Sequence, residues 1–396
     1  MANRSQAELE IQPARLSGFA PAIARLQALG VPAQRIGELF GADTGYIHVL
    51  SHRARKQRSK KQSSDGTLQI SAVSDLSDDY VIAAKEELGL RSESEDRIEL
   101  TPKRLRNLEW LESRMVEIAD RGRSSYQYLP AIKALRELKP QIGFPSDVGR
   151  IRIAAKLHQH LAWFYTHSGL ANSSVAEANR SIRLYEILYH ETRDKDALRE
   201  LGGSCLIRSN SRLSDGSGEV ALGSLKLSEQ VTLAADIALN SEYFQQRGVA
   251  LFQTRQDDAA KKMFERARAT TPDTDVKHAS MTLKMSSDRF LNLIASPFPK
   301  LESELSLLAD ATAFYGPDSL EAVMCAHWAA ACALCTDSKS AHLTALDLIE
   351  QNQSKILRFG HQATIAKLLP LALELPSSKR LMWVRFSLYQ NAFRSK

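Results

Sequence analysis

Three groups of residues carry side chains that can do chemistry. The first is a run of charge, Arg53 to Lys61 (RARKQRSKK), with six basic residues in nine. Such density suits the phosphate backbone of a nucleic acid, where Lys and Arg displace condensed counterions. If a helix runs on through it, the run is a basic extension; if the helix stops, it is an arm for a phosphate track or a minor groove. A solvated surface segment is the plain alternative. The second group is Cys325, Cys332 and Cys335 with His327 and His342. Cys-x-x-Cys is a metal or redox spacing, but the surrounding run AVMCAHWAAACALC is small and apolar. Cys325 and Cys332 lie seven apart on one helical face, as buried helix-contact residues do, and a free Cys packs as a small hydrophobe. The third group is His158 and His160 beside Trp163, Phe164 and Tyr165. Two residues apart on a helix point to different sides, so these histidines make poor joint ligands, and the aromatic run reads as core. The stretch Gly202–Gly218 (GGSCLIRSNSRLSDGSG) lacks the Lys-Ser/Thr ending of a phosphate loop and reads as a long connection between helices. Nucleophile-elbow, zincin, kinase and deaminase patterns are missing. The expectation is a non-enzyme with no catalytic residue, no metal and no cofactor.

Charge is distributed unevenly. Residues 1–61 hold ten Lys or Arg against four Asp or Glu, and residues 62–396 hold 42 of each. The whole formal excess of +6 therefore sits in the first sixth of the chain. A basic end on a neutral body suggests that the end meets a polyanion and the body does something else. Residues 65–99 carry ten acids against three bases; this stretch is a solvated helix face or, by adjacency, a competitor that folds back on the basic arm. No run of 18 uncharged apolar residues exists, so no membrane span is expected. The first 20 residues lack the apolar core of a secretory signal, and four Cys in 396 residues do not make a disulfide framework. A soluble protein of a reducing compartment follows, expected to be cytoplasmic and nucleoid-associated.

Stepping outward to the elements, nearly all of the chain has helical periodicity. In Leu105 to Ala119, Leu105, Leu108, Leu111, Met115 and Ile118 recur at spacings of three and four, one stripe of an amphipathic helix. The same reading applies to 128–138, 151–167, 175–191, 227–239, 241–254, 257–269, 277–294, 300–313, 319–335, 339–351, 361–373 and 378–392. Breaks fall at Pro140, Gly143 and Pro145, at Pro272, at Pro297 and Pro299, at Gly316-Pro317 and at Pro376. A short hint of strand lies at Thr67 to Val73. The fold class is all-α.

Residues 19–56 read as three short helices. Pro21 suits a first turn, and Gly30 a helix end. After Val31-Pro32, Ile36, Gly37 and Phe40 lie on one helix, Gly41 makes the turn, and Ile47 and Leu50 point back from the next helix. Gly37 would let the two helices cross closely. This order of apolar, small, apolar, Gly, apolar and apolar residues resembles a helix-turn-helix. The resemblance implies that the second helix, Asp43 to Arg55, enters the major groove of double-stranded DNA. Thr44, Gly45, Tyr46, His48 and His52 would face the bases, with Asp43 as helix cap rather than base contact. Arg35, Arg53, Arg55, Lys56 and Arg58 would meet phosphates. No Arg, Lys, Gln or Asn occupies the base-reading face, which departs from the usual pattern.

The segment Ser241–Pro272 resembles a tetratricopeptide repeat. Gly248 and Ala260 are the small residues where its two helices approach, Phe264 and Ala267 follow on one face, Leu251 fills a place between the helices, and Pro272 ends the unit. Arg247 departs from the family, which usually has an apolar residue there. Weaker likenesses lie at Ala322–Leu348 and Leu157–Tyr189. Two-helix units cannot bury their apolar faces alone, so they stack into an array. The resemblance implies a right-handed superhelix that binds peptides or protein segments. Asn179, Arg183, Asn210, Tyr243 and Arg247 are the polar residues expected on its concave surface.

The expected organisation is a tail (1–18), a helix-turn-helix module with its basic extension (19–61), a linker (62–75) and a helical-repeat domain (76–396). The order of parts resembles bacterial regulators in which such a body dimerises the protein and a ligand resets two DNA heads. The expected partners are double-stranded DNA, a peptide or protein ligand and a second copy of the chain, with no membrane. The alternative is an interaction scaffold of a mobile-element or defence complex with weak or no DNA binding.

Overall fold

The computed structural model describes residues 20–40, 42–61, 102–125, 127–142, 147–168, 170–214, 216–270, 278–295, 300–334, 338–356 and 375–376. The tail, the linker, the acidic stretch, the strand hint at Thr67 to Val73, Gly41, Pro272, Cys335 and the helices expected at 361–373 and 378–392 lie outside them. Among the described residues every regular element is a helix, so the chain is all-α. The helices group into two units, Met1–Leu68 with Thr274–Lys396, and Gln69–Asp273.

The first unit begins with α1 (Ala20–Leu29), α2 (Ala33–Phe40) and α3 (Thr44–Lys61). Gly30 ends α1 at φ +109°, a conformation that a side chain would strain. Its N–H reaches Gln27, and the next N–H, of Val31, reaches back to the Leu26 carbonyl (both 3.0 Å). Both α1 and α2 pack on α3, and Ile23, Leu26, Ile36, Ile47 and Leu50 are buried there. At Gly37 a Cβ would stand 2.5 Å from the Ala42 carbonyl oxygen but 3.9 Å from Ile47. The glycine thus makes room for the turn that follows α2 more than for the helix crossing. The same unit holds α12 (His278–Ala295), α13 (Leu301–Tyr315), α14 (Leu320–Leu334) and α15 (Lys339–Ile356), each packed on the next.

The second unit runs from α4 (Pro102–Ser124) through α5 (Tyr128–Ile142), α6 (Val148–His167), α7 (Ala171–Thr192), α8 (Lys195–Ser214), α9 (Gly218–Ala234) and α10 (Ser241–Gln253) to α11 (Asp257–Ala269). Each helix packs on its successor, and α4, α6, α8 and α10 also pack on one another in turn. Every second helix therefore touches the one two places on, the contact order of stacked helix pairs. Gly248 of α10 lies against Phe264 of α11: a Cβ there would be 2.6 Å from the buried ring. Ala260 and Ala267 are buried on the same side of α11, and Leu251 is buried on α10.

Two expectations about breaks are corrected. Pro140 lies inside α5, in its last turn, because Ile142 beyond it is buried and holds the chain helical. The stretch expected as a long connection from Gly202 to Gly218 is helical to Ser214 as α8. Its serines do not break the helix, because their hydroxyls are used where they stand. Ser204 and Ser211 donate back to the carbonyls of Glu200 (3.1 Å) and Ile207 (3.0 Å). They also share bonds with Ser181 (2.9 Å) and Ser174 (2.6 Å) of α7. Tertiary partners override the weak helix propensity of Ser and Gly.

Candidate nucleic-acid interface

Asp43 opens α3. Its Oδ1 accepts the N–H groups of Gly45 (2.7 Å) and Tyr46 (3.3 Å), satisfying donors that have no partner within the helix. Gly45 has a local role here: a Cβ would stand 2.8 Å from that carboxylate oxygen. The capped helix buries Ile47, Leu50 and Ser51, one stripe at spacings of three and four. The opposite stripe is Gly45, Val49 and His52, all exposed.

The base-facing residues expected together do not share one face. Thr44, His48 and His52 are exposed, but Tyr46 is half-buried. At about 100° per residue, Tyr46 and His48 stand roughly 160° apart around the axis, on opposite flanks of the exposed stripe. Val49, 44% exposed at the centre of that stripe, is the residue that sequence reasoning missed. The signal was present: Val49 falls between the buried Ile47 and Leu50, and nothing apolar repeats with it at helical spacing. Arg35 is exposed on α2 but is tied to Glu38 one turn on (2.8 Å). The backbone of α3 is helical through Lys61, so the basic run is a helical extension rather than an arm leaving the helix end. The side chains of Arg53, Arg55, Lys56, Arg58 and Phe40 lie outside the described residues.

The five residues expected on a partner-binding surface separate into different settings. Tyr243 is buried (1% exposed) rather than presented, because its ring packs edge-on against Phe244. Its hydroxyl donates to Glu229 of α9 (2.9 Å), which also accepts from Arg247 (3.0 Å). Arg247, the departure from the repeat pattern, thus joins α10 to α9 through a carboxylate. Asn179 and Arg183 lie on α7, where Arg183 pairs with the buried Glu186 (3.1 Å). Asn210 is half-buried on α8.

The histidine and cysteine groups resolve by partner. His158 bonds to Glu177 of α7, and His160 accepts from Arg123 of α4 at Nδ1 (3.1 Å), so the two point to different sides. The Arg123 guanidinium also lies 5.0 Å from the centre of the Trp163 ring, which stacks 3.8 Å from His167. Burial, and then the charge of Arg123, lower the pKa of both His160 and His167 to about 4. Glu177 is pushed up by burial, but the bond from His158 and the charges of Arg180 and Lys139 outweigh this and leave it below the carboxylate range. Cys325 and Cys332 are buried in α14. The Cys325 sulfur accepts from Arg289 (3.5 Å), which is held by Glu304 (2.9 Å) and lies 4.3 Å from the Trp328 ring centre. Burial raises the Cys325 thiol pKa. Among the described residues no three metal-ligating side chains gather, and no helix is long and apolar enough to cross a membrane.

No family model, no curated protein and no solved structure matches this chain.

Proposed function

We propose that this chain is a DNA-binding transcriptional regulator. In this reading α2 and α3 act as a helix-turn-helix, and the remaining helices form a tetratricopeptide-like right-handed superhelix that dimerises the protein and binds a peptide or protein partner. One observation carries the proposal: α3 continues unbroken from its capped start to Lys61. An exposed stripe that fits a major groove is therefore collinear with the six-residue basic run. Thr44 and Val49 offer methyl groups to thymine, and His48 and His52 offer ring nitrogens to base edges. The basic residues supply backbone affinity without sequence information.

Fluorescence anisotropy of the full chain on duplex libraries at rising salt tests this. Val49→Ala with His48→Ala is expected to narrow the gap between preferred and random duplexes by about tenfold, with little change in salt slope. Arg53→Ala with Arg55→Ala and Lys56→Ala should weaken all duplexes alike and flatten the slope by about one per lost contact. Equal binding of every sequence by the wild type, lost by 150 mM salt, would leave only charge attraction.

The scaffold reading is favoured by one feature. The first turns of α3 expose Thr44, Gly45, His48, Val49 and His52 but none of the Arg, Lys, Asn or Gln that most often read bases. Under that reading the repeat helices hold a protein partner, and no duplex is preferred.

A further inference from the structure

A small cleft of about 80 Å³ opens among α6, α7 and α8 of the Gln69–Asp273 unit. Its floor is Tyr185 and Leu188 of α7, both buried. Arg152 and Lys156, one turn apart on α6, line one side. Asp194, Asp196, Arg199 and Glu200, at the start of α8, line the other. Asp196 and Arg199 are exposed and mark the mouth, whereas Tyr185 is only 1% exposed. The Tyr185 hydroxyl is buried and has no hydrogen-bond partner among the described residues. The charges that act on it belong to the same cleft, Glu200, Arg152 and Arg199, together with Glu112 of α4, which holds Lys156. The hydroxyl end of the ring therefore faces the charged sides. Burial, and then the charge of Glu200, raise its pKa, so the phenol keeps its proton and can donate. A buried donor left without an acceptor is destabilising, and a ligand that accepts from it relieves that cost.

Both signs of charge keep unused bonding capacity. Arg152 gives one N–H to Asp194 (2.8 Å), and Lys156 gives one to Glu112. A guanidinium has five donors and an ammonium three. Among the described residues, the carboxylates of Asp196 and Glu200 each accept only from Arg199 (3.0 Å and 3.4 Å). Three cations and three carboxylates line the cleft, so a lone ion of either sign would meet as much repulsion as attraction. A ligand with both charges meets spare donors on the α6 side and spare acceptors on the α8 side. The volume is well below the ~300–1,000 Å³ of pockets that enclose drug-sized molecules, which excludes a nucleotide or a sugar phosphate.

We propose that this cleft binds the zwitterionic head of a free α-amino acid, with its carboxylate on Arg152, Lys156 and the Tyr185 hydroxyl and its ammonium on Glu200 and Asp196. The side chain of the amino acid leaves through the mouth. This site stands apart from the DNA reading, and its test contains no DNA.

Isothermal titration of the full chain with each common amino acid in turn tests this. At least one should bind saturably at a single site per chain. Its N-acetyl and amide forms, which stand for the two ends of a peptide, should bind about tenfold more weakly or worse, and so should acetate and methylammonium. Tyr185→Phe should weaken binding about tenfold. Without ligand it should unfold at the wild-type temperature or above, because the hydroxyl it loses had no partner. Glu200→Gln should narrow the gap between the free and the N-acetylated amino acid. The proposal is overturned if no amino acid binds, or if a blocked form or a single ion binds as tightly as the free amino acid. It is also overturned if Tyr185→Phe binds like wild type, or unfolds at a lower temperature, since the hydroxyl would then be a bystander or a structural contact.

Discussion

The N-terminal module and the Gln69–Asp273 unit hold their helices together with different materials. In the module, α1, α2 and α3 meet through Ile23, Leu26, Ile36, Ile47 and Leu50, and the buried Ser51 makes no side-chain bond. In the larger unit, hydroxyls and amides lie in the seams. Ser174 donates to the Ala162 carbonyl (2.7 Å), Ser181 to Ala155 (2.9 Å), Ser228 to Gly202 (3.1 Å) and Gln253 to Leu213 (3.0 Å). Apolar contacts are non-directional, so the module takes its geometry from its turn and its cap. Buried directional bonds fix the register of neighbouring helices, because sliding one past another would leave each group unsatisfied. The difference suits the tasks proposed for them. A small module with an apolar interior leaves its outer stripe free for a ligand, whereas a longer stack keeps a defined surface only if its registers hold.

The largest expected effect breaks the comparison at the module. Ile47→Ala removes a fully buried side chain from a core of few residues, a loss of about 2–5 kcal/mol that a module of this size is not expected to absorb. Hydrogen exchange should show protection lost across Ala20–Lys61 while α4 to α11 keep theirs. Loss of protection in both regions together would show that they unfold as one, and the contrast would be withdrawn.

A smaller effect concerns acid and the larger unit. His160 and His167 have native pKa values of about 4, against about 6.5 in an unfolded chain. Their neutral forms favour the fold, so that contribution is complete above pH 6.5 and is lost as pH falls toward 4. Unfolding free energies from urea titrations should fall between pH 7.5 and pH 4.5 by on the order of 2 kcal/mol for each histidine. His160→Gln should flatten the slope. An unchanged slope would mean that Arg123 and burial do not keep this histidine neutral.

The smallest effect sharpens the role of the cap. Asp43→Ala removes the acceptor for Gly45 and Tyr46 and should cost about 1 kcal/mol, read as faster amide exchange in the first turn of α3. A change spread over α4 to α11 would argue against so local a role.

Much of the helix plan was legible. Ile36, Ile47 and Leu50 were readable as core because apolar residues at helical spacing between breakers have only one face to hide. Gly30 was readable as a helix end because few other residues tolerate its φ. Asp43 was readable as a cap from its position before the periodic run. The helix of residues 195–214 was harder, since Gly202, Gly203 and four serines argue locally against helix. The partners that overrule them, Ser174, Ser181 and Gln159, come from other helices. The candidate interface was half legible: exposure of Thr44, His48 and His52 followed from the stripe, but Tyr46 and His48 were assigned to one face that the helix period divides.

The amino-acid sequence by itself determined most of the helices, the end of α1 at Gly30, and the concentration of positive charge beside α3, because these depend on spacing, backbone preference and counting. Only the tertiary structure decided which charges are answered. Arg289 finds Glu304, Arg247 finds Glu229, and Arg123 finds the ring of His160. Residues fifteen to forty positions apart meet through helix packing, and no local pattern of residues encodes such a meeting.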